Sequence, residues 1–263
     1  MMFNTVRSPE YLTFEDTEAW RICCENWGDY NETVITDNGN NTVDIVVTFK
    51  SMLNNVVKKS NVISTQTDVD NSGGMYVEGT TKQAVGITMK QCQAVTSMGS
   101  NSSVFSDNTV IQKFNELAYF TGLTAYATGH FEYCTSLSEL TLLPLDIKKV
   151  NVYRGCTSLS SLIVPEGVTT ITGDYWIYQS GVTYVELPST LTNGDRHLLG
   201  NLRNACVFVI KAIEPPTIAR AFTQMNNSSV IYVPNDSVNA YKAADKWSAI
   251  ASKIYSINDY NPA

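Results

Sequence analysis

An internal repeat of about 22 residues runs through the second half of the chain and limits the folds open to it. The segment Glu132–Leu140 (EYCTSLSEL) reappears one period later as Arg154–Leu162 (RGCTSLSSL), and two weaker copies follow at Ser180–Pro188 and Asn204–Ile210. The matching apolar positions are Leu137, Leu159, Val182 and Ala205. Because one such unit cannot bury its apolar face alone, successive units must stack and merge their cores.

Each copy runs into a short apolar strand whose side chains alternate between two faces. The residues expected to point into the core are Leu140, Leu142, Leu162, Val164, Val185, Leu187, Phe208 and Ile210. The residues between them are expected to point outward as a ladder across an exposed sheet: Glu139, Thr141, Ser161, Ile163, Tyr184, Glu186, Val207 and Val209. Trp176 and Tyr178 belong to an aromatic-rich stretch of the repeats in which some rings must be in the core, and both are added to this candidate ligand-binding face because tryptophan and tyrosine anchor interfaces well.

The charge pattern excludes some classes of partner and of chemistry. The formal net charge is −7, and no run of Lys or Arg exceeds two residues, so a nucleic-acid partner is not expected. His130 and His197 are the two histidines of the sequence, they stand in different repeat regions, and each is interpreted as a surface or turn residue. The acidic residues are scattered. The sequence therefore predicts no catalytic residues, no cofactor and no enzyme activity.

One segment resembles part of a calcium-binding loop. Asp68, Asp70 and Ser72 stand at the first, third and fifth positions of such a loop, and a glycine follows at the sixth. The twelfth position is Gly79 where a bidentate glutamate is needed, and no good helix precedes the segment. A polar turn is the preferred interpretation, and no metal site is predicted.

The six cysteines fit a packed core better than a disulfide framework. Cys134 and Cys156 occupy the same position of two successive repeats, so repeat packing accounts for both. Buried free thiols behave as small apolar side chains. Free thiols are therefore expected, with disulfides as the alternative.

The repeats resemble the BspA-like leucine-rich repeats of gut Bacteroidetes, whose units contain a phenylalanine, a few further residues, Cys-Thr-Ser-Leu and an apolar strand that ends at proline. The resemblance extends to the C-terminal segment, with Pro215-Pro216-Thr217, Ile231-Tyr232-Val233-Pro234 and Trp247, and to an opening helix around Phe14–Trp27. It covers about three-quarters of the chain, and the segment 28–86 lies outside it. In that family the C-terminal segment closes the repeats with a strand and a helix. Helical apolar spacing from Val238 to Ile254 points the same way.

Together these observations predict an α+β chain: a short leucine-rich-repeat β-solenoid, a mixed N-terminal domain and a strand-helix C-terminal cap. The predicted domains are 1–113, which holds the opening helix and a β-rich insert at 28–86, then 114–214 with the repeats, and 215–263 with the cap. A turn signal at Asn38-Gly39 and the strand-like run Val43–Phe49 favour a β-hairpin in the insert.

The resemblance implies recognition or adhesion, with a protein or glycan on a cell surface as partner. The alternative is a structural component of a bacteriophage virion, on the tail or capsid, that contacts other virion proteins and carries a host-like repeat module. No stretch approaches the roughly 18 apolar residues of a membrane span, and no signal peptide is visible at the start. We therefore expect an extracellular, cell-surface or virion location.

Overall fold

The computed structural model describes residues 10–37, 42–50, 58–65, 79–99, 104–200, 202–223 and 225–261. The chain divides into two compact units, residues 1–94 and 95–263. Among the described residues, no helix is both long enough and apolar enough to cross a membrane.

The first unit begins with helix α1 (Thr17–Trp27). Its start is set by Asp16, whose side chain accepts hydrogen bonds of 2.9 Å from the backbone N–H groups of Glu18 and Ala19. Its end is set at Gly28, whose N–H donates back to the last turn. One face of the helix is buried. The predicted opening helix is thereby confirmed.

A four-stranded antiparallel sheet follows the helix, with strand order β3-β2-β1-β4. Its strands are β1 (Asp29–Asp37), β2 (Thr42–Lys50), β3 (Lys58–Thr65) and β4 (Gly79–Gly86). The predicted strand-like run Val43–Phe49 lies inside β2, and β1 and β2 pair as antiparallel neighbours. The insert 28–86 therefore contains this sheet.

A buried polar network fixes the entry to this sheet. Asp29, nearly fully buried, accepts a hydrogen bond of 2.7 Å from the Tyr11 hydroxyl and one of 2.8 Å from Gln91 Nε2, which lies in α2 (Met89–Ala94). The Tyr11 ring packs directly against Gly86, where a Cβ atom would lie 2.3 Å from Tyr11 Cγ. Burial and the neighbouring Asp29 raise the pKa of Tyr11. The hydroxyl therefore stays protonated and remains a donor to the carboxylate.

The strands of the second unit are short and pair in parallel, in three sheets. A two-stranded sheet contains β5 (Lys113–Phe114) and β6 (Glu139–Leu140). A three-stranded sheet has the order β12-β10-β8, with β8 (Thr170–Ile171), β10 (Asn193–Gly194) and β12 (Thr217–Ile218). A five-stranded sheet has the order β14-β13-β11-β9-β7, with β7 (Ser161–Ile163), β9 (Tyr184–Leu187), β11 (Val207–Ile210), β13 (Val230–Val233) and β14 (Ile254–Ser256).

The predicted fold class, α+β with a leucine-rich-repeat solenoid, is wrong. The described residues form a mixed α/β structure with few helices and several separate parallel sheets. Strand β6 of the first clear repeat pairs with β5, whereas β7 of the next repeat belongs to the five-stranded sheet. Side chains also join these two strands: Glu139 forms an ion pair of 3.3 Å with Lys113, and Thr141 donates a hydrogen bond of 3.1 Å to Asn115.

An aromatic column forms the core of the second unit. Phe105, Phe131, Tyr153 and Trp176 are fully buried, and the rings follow one another at centroid distances of 5.5, 5.8 and 6.4 Å. The last three of these occupy equivalent positions of successive repeats. Each repeat thus contributes one ring that packs on the ring of the repeat before it, which merges the apolar faces of successive units.

The repeated cysteines lie beside this column. Cys134 Sγ donates to the carbonyl of Phe105 at 2.8 Å, and Cys156 Sγ donates to the carbonyl of Phe131 at 3.0 Å. Burial raises the pKa of Cys134 to about 12. All six cysteines are buried.

The C-terminal segment closes this unit with short helices. Helix α3 (Val238–Ala243) is followed by a 3-10 helix, Trp247–Lys253. The helical apolar spacing from Val238 to Ile254 is thus divided between two helices, because the backbone is extended at Ala244, with a ψ of 151°, and has a φ of +67° at Lys246. Trp247 Nε1 donates to the carbonyl of Pro216 at 2.8 Å, and this bond anchors the segment to the repeats.

Candidate recognition face

The outward side of the five-stranded sheet carries most of the predicted ligand-binding residues, and we call this side the recognition face. The inward residues that align across the five strands are all buried: Leu162, Val185, Phe208, Ile231 and Ile254. Strand register aligns the outward residues in two rows. One row is Ser161, Tyr184, Val207 and Val230, and the other is Ile163, Glu186, Val209, Tyr232 and Tyr255.

Four tyrosines meet on this face. Tyr232 lies 6.1 Å from Tyr255 and 5.0 Å from Tyr260, and Tyr184 lies 6.3 Å from Tyr260, all between ring centroids. Tyr184, Tyr232 and Tyr260 are half-buried, and Tyr255 is exposed. The rings therefore form one continuous aromatic surface that solvent reaches. Such surfaces combine a large apolar area with a polar hydroxyl and few rotatable bonds, which suits molecular recognition.

A charged group at the edge of the aromatic surface is already satisfied within the chain. Tyr184 donates its hydroxyl to Glu186 Oε2 at 3.2 Å, and Lys211 Nζ lies 2.5 Å from Glu186 Oε1. Burial and the adjacent carboxylate raise the pKa of Tyr184 to about 12. The Tyr184 hydroxyl therefore stays neutral at physiological pH.

The expected inward residues are confirmed with one exception. Leu142, Leu162, Val164, Val185, Leu187, Phe208 and Ile210 are buried, whereas Leu140 is half-buried. Of the expected outward residues, Ser161, Ile163, Tyr184, Glu186, Val207 and Val209 share the recognition face. Val209 is only 5% exposed, so it is not directly available to a partner.

Glu139 and Thr141 do not belong to this face. Both are exposed, but they lie at strand β6 of the two-stranded sheet. Hydrogen bonds from Asn115 and Lys113 lower the pKa of Glu139. Their expected place in one ladder with Ser161 and Ile163 is wrong, because the chain pairs β6 with β5.

Trp176 is fully buried and cannot contact a partner, against the expectation that it lies on the ligand-binding face. Its Nε1 donates to the carbonyls of His197 and Leu198 at 3.2 and 3.3 Å, so even its polar atom is satisfied inside the core. Tyr178 is half-buried and lies in a turn away from the five strands, where its ring faces the guanidinium of Arg154 at 5.3 Å.

A second side-chain cluster, missed from the sequence, follows the turns between strands. Arg154 lies between the rings of Tyr133 and Tyr178, at 5.4 and 5.3 Å. Further along the chain, the Asp174 carboxylate contacts three side chains: His197 Nδ1 at 2.9 Å, the Arg220 guanidinium at 3.3 Å and the Arg196 guanidinium at 3.4 Å. Asp174, His197 and Arg220 stand at equivalent positions of successive repeats, so the repeat spacing itself could have revealed that they meet. Glu132 pairs with Arg154 at 3.1 Å and Asp195 pairs with Arg220, so three carboxylates balance the three arginines of this cluster.

Neither histidine is a surface residue, which corrects part of the expectation. His130 and His197 do lie in turns, but both are buried. Within the described ranges, no group of three or more His, Cys, Asp or Glu side chains could hold a metal ion. The calcium-loop candidates Asp68, Asp70 and Ser72 lie outside the described residues.

Two open clefts lie at the corners between strands rather than on the recognition face. One, of about 500 Å³, is lined by residues that include Pro144, Asp146 and Lys148. The other, of about 510 Å³, is lined by residues that include Leu191, Ile213 and Pro215. In the first, Asp146 already accepts hydrogen bonds of 2.8 and 2.9 Å from the backbone of Thr169 and Thr170, so its carboxylate serves the fold.

Comparison with known proteins assigns no function to the recognition face. No protein-family model matches the chain. No curated protein shows significant similarity to it.

Proposed function

We propose that this chain is a non-catalytic recognition protein that binds a protein or glycan partner through the recognition face. The observation that carries the proposal is the aromatic surface that Tyr184, Tyr232 and Tyr255 form on the parallel sheet, with the Tyr260 ring packed on it from the C-terminal turn. Aromatic anchors fixed by a scaffold are the usual source of binding energy at protein surfaces.

The chemistry of the rest of the face supports the same function. Ile163, at the open edge of the sheet, is 61% exposed. A partner that covers this side chain would remove its apolar surface from water, which favours binding. The sequence resemblance to BspA-like repeats, which implies adhesion or recognition, also supports it. The proposed site of action is a cell surface or a virion surface, where such a face meets its partner.

The test is to screen the intact chain against an array of glycans and of extracellular proteins, and then to titrate the strongest binder against two variants. Tyr255→Ala removes an anchor on the face, where Tyr255 is 43% exposed. Tyr119→Ala is the matched control, because Tyr119 is 37% exposed but lies outside the five-stranded sheet. We expect Tyr255→Ala to weaken binding about tenfold or more, as loss of an aromatic anchor does.

The control should leave the dissociation constant within about twofold of the unaltered chain, since exposed positions outside an interface contribute little. Circular dichroism and thermal melting check that both variants fold. If the two substitutions weaken binding equally, the recognition face is not the binding site.

A further inference from the structure

The recognition face already holds an occupant supplied by the chain itself. The C-terminal turn, residues 257–261, begins with the 3-10 helix Ile257–Asp259 and continues into Tyr260. The Tyr260 ring contacts Tyr184 on β9 and Tyr232 on β13. Strand β11 lies between these two strands, so Tyr260 lies over the outward side of β11. That position accounts for the burial of Val209, whose side chain is on the outward row yet only 5% exposed.

The contacts that hold the turn in place are of two separate kinds. Its hydrogen bonds are local: Tyr260 N–H donates to the carbonyl of Ile257 at 3.1 Å, and Asn258 N–H donates to Ser256 Oγ at 3.1 Å. Within the part of the chain that the structure describes, Tyr260 meets the sheet through its ring and forms no hydrogen bond with it. The ring can therefore leave the face without breaking any backbone hydrogen bond of the sheet.

The surface beneath Tyr260 is suited to an aromatic side chain rather than to a sugar. Val207 and Val209 form its floor, and Tyr184 and Tyr232 form its sides. The nearby carboxylate of Glu186 already accepts from the Tyr184 hydroxyl and pairs with Lys211. A sugar presents several hydroxyl groups that need hydrogen-bond partners when they are buried, and this floor supplies none.

We propose that the recognition face binds a peptide segment of a protein partner that inserts an aromatic side chain where Tyr260 lies, and that the C-terminal turn competes with that segment. This inference rests on the proposed function and names the partner class for the same face. The turn acts as an intramolecular competitor. Only molecules in which Tyr260 is displaced can bind the partner. The apparent association constant is therefore the intrinsic association constant multiplied by the fraction of such molecules.

The experiment uses the full chain and a labelled peptide of residues 256–261, with the sequence SINDYN, as the probe. Binding is measured by fluorescence anisotropy to the unaltered chain, to Tyr260→Ala and to Tyr260→Phe. We expect Tyr260→Ala to bind the peptide about tenfold more tightly than the unaltered chain, since the competing ring contacts are lost. Tyr260→Phe keeps the ring and should behave as the unaltered chain does.

Two controls test whether the gain in peptide affinity arises at the recognition face. A peptide with alanine in place of its tyrosine should not bind Tyr260→Ala, and the double variant Tyr232→Ala/Tyr260→Ala should lose the gain. Equal peptide affinity for the unaltered chain and Tyr260→Ala, or no binding to either, would overturn the inference.

The outcomes also separate this inference from the function beneath it. A larger gain of Tyr260→Ala for maltohexaose than for the peptide would overturn the peptide assignment and leave recognition by the face intact. If the peptide does not bind, but Tyr255→Ala selectively loses binding of the partner, the inference about Tyr260 is overturned and the proposed function stands. Equal effects of Tyr255→Ala and Tyr119→Ala would instead overturn the proposed function.

Discussion

His130 lies in the core of the second unit, where its ring contacts Tyr126 at 5.6 Å and Phe131 at 4.8 Å. Its Nδ1 accepts a hydrogen bond of 2.9 Å from the backbone N–H of Ala127, so that nitrogen carries no proton. Nε2 lies 3.3 Å from Met98 Sδ. Burial lowers the pKa of His130 to about 4. Protonation would place a charge in an apolar core and remove the acceptor for Ala127.

This pKa predicts how stability depends on pH. The unfolded chain takes up a proton at His130 near pH 6.5, but the folded chain does so only near pH 4. The stabilisation is therefore fully present above about pH 6.5 and is lost as the pH falls toward about 4. The loss from this residue is about 3 kcal/mol across that interval.

The measurement is urea unfolding at pH 7.5, 6, 5 and 4.5, for the unaltered chain and for His130→Asn. Asparagine keeps an oxygen acceptor near the position of Nδ1 but does not titrate, so its curve should fall less steeply with decreasing pH. Because His197 is present in both proteins, the difference between the two curves isolates His130. Parallel curves would show that His130 does not control the acid sensitivity.

At the scale of the elements, close backbone approach between successive repeats limits which residues fit. At Gly181 a Cβ atom would lie 2.1 Å from the carbonyl oxygen of Thr157, and at Gly173 it would lie 2.0 Å from that of Lys149. Gly181 N–H donates to the carbonyl of Cys156 at 3.0 Å, which holds the two chain segments together. The glycines are needed for space between stacked repeats.

We expect Gly181→Ala to reduce the free energy of unfolding by about 3 kcal/mol, because backbone atoms must shift to admit the new methyl group. Gly194→Ala is the control, for which a smaller loss of stability is expected. There the nearest atoms are the ends of flexible side chains, Ile218 Cδ1 and Leu198 Cδ2, each 2.8 Å away. Its loss should stay below about 1 kcal/mol. Chemical denaturation of both variants checks the order, and a larger loss for Gly194→Ala would contradict this description of repeat stacking.

Much of the core could be predicted from the sequence because the repeat and strand alternation act locally. Leu162, Val185 and Phe208 are buried as alternation predicts. The pairing of β6 with β5 could not be predicted in this way, because β5 lies more than a full repeat earlier in the sequence, as do Lys113 and Asn115, the residues that contact Glu139. The same local patterns gave the wrong fold class, since they do not specify how short strands divide among sheets.

The candidate site was predicted in part, and its errors have physical causes. Tyr184, Glu186 and Ile163 lie on the recognition face because strand alternation determines their side. Trp176 was predicted on the wrong side because it lies in a turn, where strand alternation does not determine the direction of a side chain. In the structure its ring extends the aromatic column beyond Tyr153. The C-terminal turn carries no repeat signal at all, so the arrival of Tyr260 over β11 follows only from the tertiary structure.

At the scale of the whole molecule, each unit has its own core. The first unit is built around α1 and an antiparallel sheet, and the second around the aromatic column and parallel sheets. The recognition face belongs wholly to the second unit, as does the turn that covers it. The inward side chains of the five strands are buried in this core, and we propose that the ring of Tyr260 is the part of the recognition face that a partner displaces.

The most direct test of the central claim compares two exposed aliphatic residues. Ile163 and Val110 are each 61% exposed, but Ile163 lies on the recognition face and Val110 lies outside the five strands. The dissociation constant of one identified partner is measured for Ile163→Ser and Val110→Ser by surface plasmon resonance. We predict at least about a fivefold weakening for Ile163→Ser and less than about twofold for Val110→Ser. Equal dissociation constants for the two variants would contradict the assignment of binding to this face.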